Sequence, residues 1–200
     1  TITFFAEGLS KLITERQAHI SIIPSSYQAH MLAIKYGLPM TNLDINPIID
    51  ITVDGADEVD KDLNLTKGGG GALLQEKIVA SASKNLVIIV DESKLVEALA
   101  TNFLIPIEVL PFSIGMVRRK LLDMGITPIL REAERKMGPL VTDNGNFIFD
   151  LKFPEPISDP ASIDIQLKMI PGIIETGLFV NMTDEVHVGT NDRSYIIKKK

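Results

Sequence analysis

The chain has 200 residues, 45% of them hydrophobic and 23% charged, with 20 basic against 26 acidic side chains and a formal charge of −6. That length suits one large or two small domains with a buried core, and the acidic balance argues against nucleic-acid binding, which calls for a basic excess. Cysteine is absent, which excludes a disulfide framework and thiolate chemistry and fits a reducing compartment such as the cytoplasm; no apolar run nears the roughly 18 residues of a membrane span, and no signal-peptide pattern is visible.

The opening TITFFAEGLSKLI reads as a helix, with Ile2, Phe5, Leu9 and Leu12 at helical spacing. No methionine and no strand precede it, so further residues are expected upstream. HISIIP then reads as a strand, SYQAHMLAIKYG as a helix ending at Gly37, and IIDITVDG as a strand. GALLQEKIVASASK reads as a helix and NLVIIVDES as a strand. The apolar runs at Ile48-Ile49 and Val87 to Val90 suggest strands covered on both faces. Strands alternating with helices in this way predict a parallel sheet with right-handed crossovers.

After Phe103 the pattern changes. IPIEVLP is a strand, SIGMVRRKLLDMG a helix, and TPILREA a strand. PLVTDNGNFIFDLKF is a strand interrupted by a hairpin signal at Asn144-Gly145. DPASIDIQLKMIPG is a helix stopped at Pro171-Gly172, and IIETGLFV a strand. This β-α-β-β-α-β order, with room for one extra strand, predicts a ferredoxin-like module. EVHVGT and SYIIKKK are expected to return to the first domain. The fold class is therefore α/β, a Rossmann-like parallel-sheet domain (1–103 and 175–200) with a smaller ferredoxin-like α+β domain (104–174). The terminal lysines read as a solvated end.

Asp54 directly follows an apolar strand, and ligand sites in open α/β sheets gather at the carboxyl ends of strands. Asp57 and Glu58 follow within a turn. A calcium loop starting at Asp60 is excluded, because its glycine position holds Leu65 and its twelfth position holds Gly71. Lys67 then leads into four glycines and a helix. Glycine lets a ligand approach the main chain, and free N–H groups at a helix start favour an anion. A Walker loop is excluded because Gly71 is followed by Ala72-Leu73, and a dinucleotide fingerprint because Leu73 occupies its third small position.

At about 100° per residue, Ala72, Leu73, Val79 and Ala80 share the side of the helix that carries Glu76, whereas Leu74 and Ile78 lie opposite. A carboxylate among apolar side chains loses hydration, and its pKa rises toward the range of a general base. Lys94, a short turn beyond VIIVD, is expected at the same sheet edge. His19, His30 and His187 are scattered and form no metal constellation. The set suits a small anionic substrate from which a proton is moved.

DGADEVD, KGGGGALLQEK and VDESK, in this order and spacing, resemble type A ribose-5-phosphate isomerase. IPIEVLP, VTDNGNFIFDL, IPGIIETGLF and VHVGT are similar to that family's later segments. The resemblance covers essentially the whole chain, but the family's opening strand and most of its Gly-Thr/Ser-Gly-Ser-Thr loop are not in the sequence; Thr1 matches the last residue of that loop. It implies interconversion of D-ribose 5-phosphate and D-ribulose 5-phosphate in the non-oxidative pentose phosphate pathway, with no metal or organic cofactor. The implied partners are a pentose phosphate and further copies of the chain in a homodimer or homotetramer, with no nucleic acid or membrane. By the resemblance Glu76 is the catalytic base, acting with Asp54 and Lys67. Thr1, Asp54, Gly55, Ala56, Asp57, Lys67, Gly68, Gly69, Gly70 and Lys94 bind substrate, with Lys94 and Thr1 on the phosphate. A non-catalytic sugar-phosphate sensor on the same fold is the alternative. A sugar-phosphate deaminase or coenzyme A transferase would need motifs that are not found.

Overall fold

The computed structural model describes residues 2–135 and 137–199. Helices α1 (Ile2–Arg16) and α2 (Tyr27–Lys35) come first. The Ser26 hydroxyl caps α2 by accepting the Ala29 N–H at 3.0 Å, and Gly37 beyond its end adopts φ 64°, a left-handed turn that costs glycine little. HISIIP does not become a strand. Ile22 makes only an isolated parallel bridge to Met40 and packs against the small core of Ala6, Ala33 and Leu38.

Strand β1 (Thr52–Asp54) is shorter than the apolar run that predicts it. Ile48 and Ile51 are exposed, because among the described residues β1 is a sheet edge with β4 (Leu86–Asp91) on one side. Next to β4 lies β10 (Glu185–Gly189), also parallel, and then β11 (Ser194–Lys198), antiparallel. The final strands thus return to the first sheet. Leu86, Ile88, Val90, Val186 and Val188 from this sheet share a core with Leu65 and Phe179, and each such side chain fully buried stabilises the fold by about 1.5–3 kcal/mol.

The ferredoxin-like half runs β5 (Ile105–Val109), α4 (Ile114–Asp123), β6 (Thr127–Leu130), β7 (Phe147–Lys152), α5 (Pro160–Lys168) and β8 (Ile173–Thr176). Its sheet is antiparallel, in the order β6-β7-β5-β8. Val117 and Leu121 of α4 and Leu167 of α5 seal it against Ile105, Ile107, Phe149 and Leu151. The Asn144-Gly145 turn forms, with Gly145 at φ 79° and the Thr142 N–H bonded to the Asn146 carbonyl at 2.8 Å. The preceding PLVT segment stays outside the strands, meeting the residues just past β6 through an isolated Glu132–Pro139 bridge and a Leu140 N–H bond to the Arg131 carbonyl at 2.9 Å.

A third sheet is not expected from the sequence as a sheet, although one of its strands lies in the predicted strand IIETGLFV. It joins β2 (Glu58–Val59), β3 (Leu65–Thr66) and β9 (Leu178–Phe179), all antiparallel. IIETGLFV therefore serves two sheets, breaking at Gly177. There the N–H bonds the Pro106 carbonyl at 2.7 Å and the carbonyl accepts the Lys67 N–H at 2.8 Å. A Cβ at Gly177 would stand 2.3 Å from the Lys67 carbonyl oxygen, so only glycine lets the two chains touch. Glu175 and Thr176, expected within the Rossmann-like portion, pair instead with Glu108 and Ile107 of β5. This junction places Lys67 where the two halves meet.

Candidate active site

The site begins at the carboxyl end of β1, where Asp54 pairs in register with Ile88 of β4. One carboxylate oxygen of Asp54 accepts the Gly55 N–H at 2.8 Å. The other lies 2.9 Å from the Lys67 ammonium, which also donates to the Gly55 carbonyl at 2.7 Å. Lys67 extends from the end of β3, and its side chain is only 4% exposed. Helix α3 (Leu73–Ser81) has no side-chain cap and starts directly after the glycines, with Gly71 at φ 82°. It buries Leu73, Val79 and Ala80 and leaves Ile78 exposed. That orientation turns Glu76 inward, and its Oε2 lies 3.1 Å from the Lys67 ammonium.

Three charges therefore meet in one hollow. Glu76 Oε2 is buried and, despite its closeness to the ammonium, has no aligned hydrogen bond. Burial is the main reason its pKa lies above the ordinary glutamate range; Asp54 and Asp57 add to the rise, and Lys67 opposes it. Burial by itself would lower the Lys67 pKa, but Asp54 and Glu76 more than offset it, and the net shift is upward. Lys67 thus stays charged while Glu76 is the easily protonated partner. The Phe179 ring sits beneath, with its centre 5.4 Å from the Lys67 ammonium and 5.0 Å from that of Lys77.

The glycines have separate tasks. At Gly68, φ is 104°, and a Cβ would stand 2.8 Å from Leu73 Cβ. At Gly69 a Cβ would stand 2.8 Å from Asp57 Oδ1, and the Gly69 N–H donates to Asp57 Oδ2 at 2.9 Å. Gly70 has open space where its Cβ would be. A cleft of about 920 Å³ lies before this group, and Asp54, Gly55, Ala56, Asp57, Lys67, Gly68 to Gly70 and Glu76 all line it.

Of the predicted site residues, these come together. Lys94 does not line the cleft; it sits, half-buried, at the end of a 310 turn (Glu92–Lys94) after β4. The turn is nonetheless at the same sheet edge, because β1 and β4 are parallel. Thr1 lies outside the described residues. Among the described residues no group of three or more His, Cys, Asp or Glu side chains could hold a metal ion, and no helix is long and apolar enough to cross a membrane.

The structure adds residues that sequence reasoning missed. Lys77 of α3 is mostly buried, 2.9 Å from Glu175 Oε1, and burial lowers its pKa. Glu58 accepts the N–H groups of Ala100, Asn102 and Phe103, fixing the crossing into β5. Arg131 reaches from the ferredoxin-like half to the Gly68 and Gly69 carbonyls. No local motif signals these residues, since each acts on a partner at least 42 positions away.

The model of the family described as ribose 5-phosphate isomerase A (phosphoriboisomerase A) matches residues 21–193. The ribose-5-phosphate isomerase A of Methanococcus aeolicus is 46% identical over 200 residues, which are 100% of this chain and 84% of that protein. The ribose-5-phosphate isomerase of Dictyostelium discoideum is 49% identical over 184 residues, 90% of this chain and 79% of that protein. Among solved structures, ribose 5-phosphate isomerase A from Methanocaldococcus jannaschii superposes with a TM-score of 0.94 at 41% identity, covering 98% of this chain and 86% of that one. A D-ribose-5-phosphate isomerase in complex with phospho-erythronic acid matches with the same score, identity and coverage. With the family matched across most of its length and relatives this similar, the chain belongs to the ribose 5-phosphate isomerase A family.

Proposed function

We propose that the protein interconverts D-ribose 5-phosphate and D-ribulose 5-phosphate through a cis-enediolate, with Glu76 as the base. The observation that carries this reading is the buried Glu76 carboxylate, 3.1 Å from an ammonium and facing a cleft lined by Asp54 and a glycine loop. Moving a carbonyl between C1 and C2 takes a proton from one carbon and returns it to its neighbour, and one carboxylate within reach of both can do so. The desolvated Glu76, with its raised pKa, is matched to that work.

Negative charge grows on a sugar oxygen as the proton leaves. The Lys67 ammonium is already fixed by Asp54 and the Gly55 carbonyl, so it needs no reorientation to meet that charge. Asp54 assists ring opening and the hydroxyl protons, and Asp57 holds hydroxyls from its place against Gly69. Lys94 and Thr1 bind the phosphate, whose binding energy positions the reacting carbons. The phospho-erythronic acid bound to the related isomerase, a phosphorylated sugar acid, supports a phosphorylated substrate here. No observation favours a non-catalytic sensor. A pentose-phosphate-pathway role, the cytoplasm, and a homodimer or homotetramer belong to the same proposal through family resemblance, as does the division into 1–103 with 175–200 and 104–174, with Glu175 and Thr176 of β8 completing the smaller domain's sheet.

The test is direct. The protein is mixed with ribose 5-phosphate in deuterium oxide, and product and residual substrate are followed by NMR. Ribulose 5-phosphate with solvent deuterium at C1 is expected. An absence of product, or normal turnover by Glu76→Gln, refutes the proposal.

A further inference from the structure

Arg131 stands just past β6, and its guanidinium is shared between two halves of the molecule. Nε donates to Asp150 Oδ2 at 2.9 Å, and Nη2 bonds the other oxygen of the same carboxylate. Asp150 belongs to β7, one strand away, so the fork is gripped by its own sheet. Nη1 points the other way. It donates to the Gly68 carbonyl at 2.9 Å and to the Gly69 carbonyl at 3.0 Å. Side-chain exposures of 15% and 17% for Arg131 and Asp150 mark a largely desolvated contact.

The consequence lies on the far side of the loop. In a trans peptide the carbonyl and the following N–H point in opposite directions. Holding the Gly68 and Gly69 carbonyls toward Arg131 therefore turns the Gly69 and Gly70 N–H groups away from it. The Gly69 N–H indeed meets Asp57 Oδ2 at 2.9 Å. The Gly70 N–H has no acceptor among the described residues, and Gly70 lines the cleft. A glycine run would otherwise sample many such orientations. We infer that Arg131, braced by Asp150, is a positioning residue that holds the glycine loop with its N–H groups toward Asp57 and the substrate.

Only arginine can do this. Its planar fork carries donors along two edges at once, whereas a lysine ammonium is a single point that cannot span a carboxylate and two carbonyls. The inference rests on the isomerase reading, but part of its test does not. In Arg131→Lys, amide hydrogen exchange at residues 68–72 is expected to quicken while the strands keep their protection. The turnover number is expected to fall at least tenfold, since a misplacement of about 1 Å can cost a factor of about 100. KM should change less than kcat, and the acid limb of the pH profile, set by Glu76, should stay in place. Should Arg131→Lys fail to fold, Asp150→Asn, which loosens one arm of the fork, is measured in its place with the same expectation at smaller size. Unchanged exchange at the loop, or wild-type kcat in the folded variant, overturns the inference. An inactive wild type with a loosened loop in the variant would refute the isomerase reading and leave the clamp standing.

Discussion

Replacing Lys67 by methionine tests the electrostatic design most severely. Methionine matches the length of the lysine stem and removes only the charge and its donors. The ammonium lies 2.9 Å from Asp54 and 3.1 Å from Glu76. At an effective dielectric constant of about 20 each pair attracts by about 5–6 kcal/mol before the cost of burying the ions is subtracted. Removing the shared partner leaves two carboxylates, exposed by only 15% and 16%, facing one hollow. The expected net loss at neutral pH is about 3–5 kcal/mol, the range for breaking a buried pair. The sign with pH follows from linkage. Lys67 is what opposes the rise of the Glu76 pKa, so without it that pKa climbs further above its unfolded value and the native variant binds more protons. That part of its stability is present at low pH and is lost as pH rises through the native values. Urea unfolding of wild type and variant at about pH 5 and about pH 8 should therefore show a deficit that grows with pH. A deficit below about 1 kcal/mol, or one equal at both pH values, would refute the shared-cation account.

Four further outcomes are expected. Glu76→Gln should lose nearly all turnover yet gain stability at neutral pH: the raised native pKa makes ionised Glu76 a burden that is absent below the ordinary value of 4.5 and grows as pH rises, so thermal melts of the two proteins should converge in acid. The acid limb of wild-type kcat/KM should lie above that value for the same reason. Gly69→Ala places a Cβ 2.8 Å from Asp57 Oδ1 and 3.1 Å from Phe103 Cζ and should cost about 1–3 kcal/mol, whereas Gly70→Ala, with open space around it, should stay within about 0.5 kcal/mol; paired melts check both. Lys94→Ala should raise KM for ribose 5-phosphate with little effect on a non-phosphorylated pentose, and equal losses for both would remove Lys94 from the phosphate.

Glu76, Asp54 and the glycine run could be found from the sequence because each depends on local geometry. A helix repeats every 3.6 residues, so the apolar positions 72, 73, 79 and 80 already fix which way residue 76 turns. A strand end followed by Asp-Gly fixes where residue 54 stands. The burial of Leu73, Val79 and Ala80 and the exposure of Ile78 follow that periodicity. The same local signals overran at HISIIP and IIDITVDG, because apolar runs report burial, whereas a strand also needs a neighbour to accept its hydrogen bonds.

Periodicity, spacing and motif resemblance along the chain were enough to reveal the two kinds of sheet, the helix that carries Glu76, and the family. Tertiary structure decided that one lysine serves two carboxylates, that Gly177 hands a strand from one sheet to another, and that Arg131 grips a loop more than sixty residues away. Those relations depend on how sheets meet in space, and pairing across such distances leaves no period or spacing along the chain.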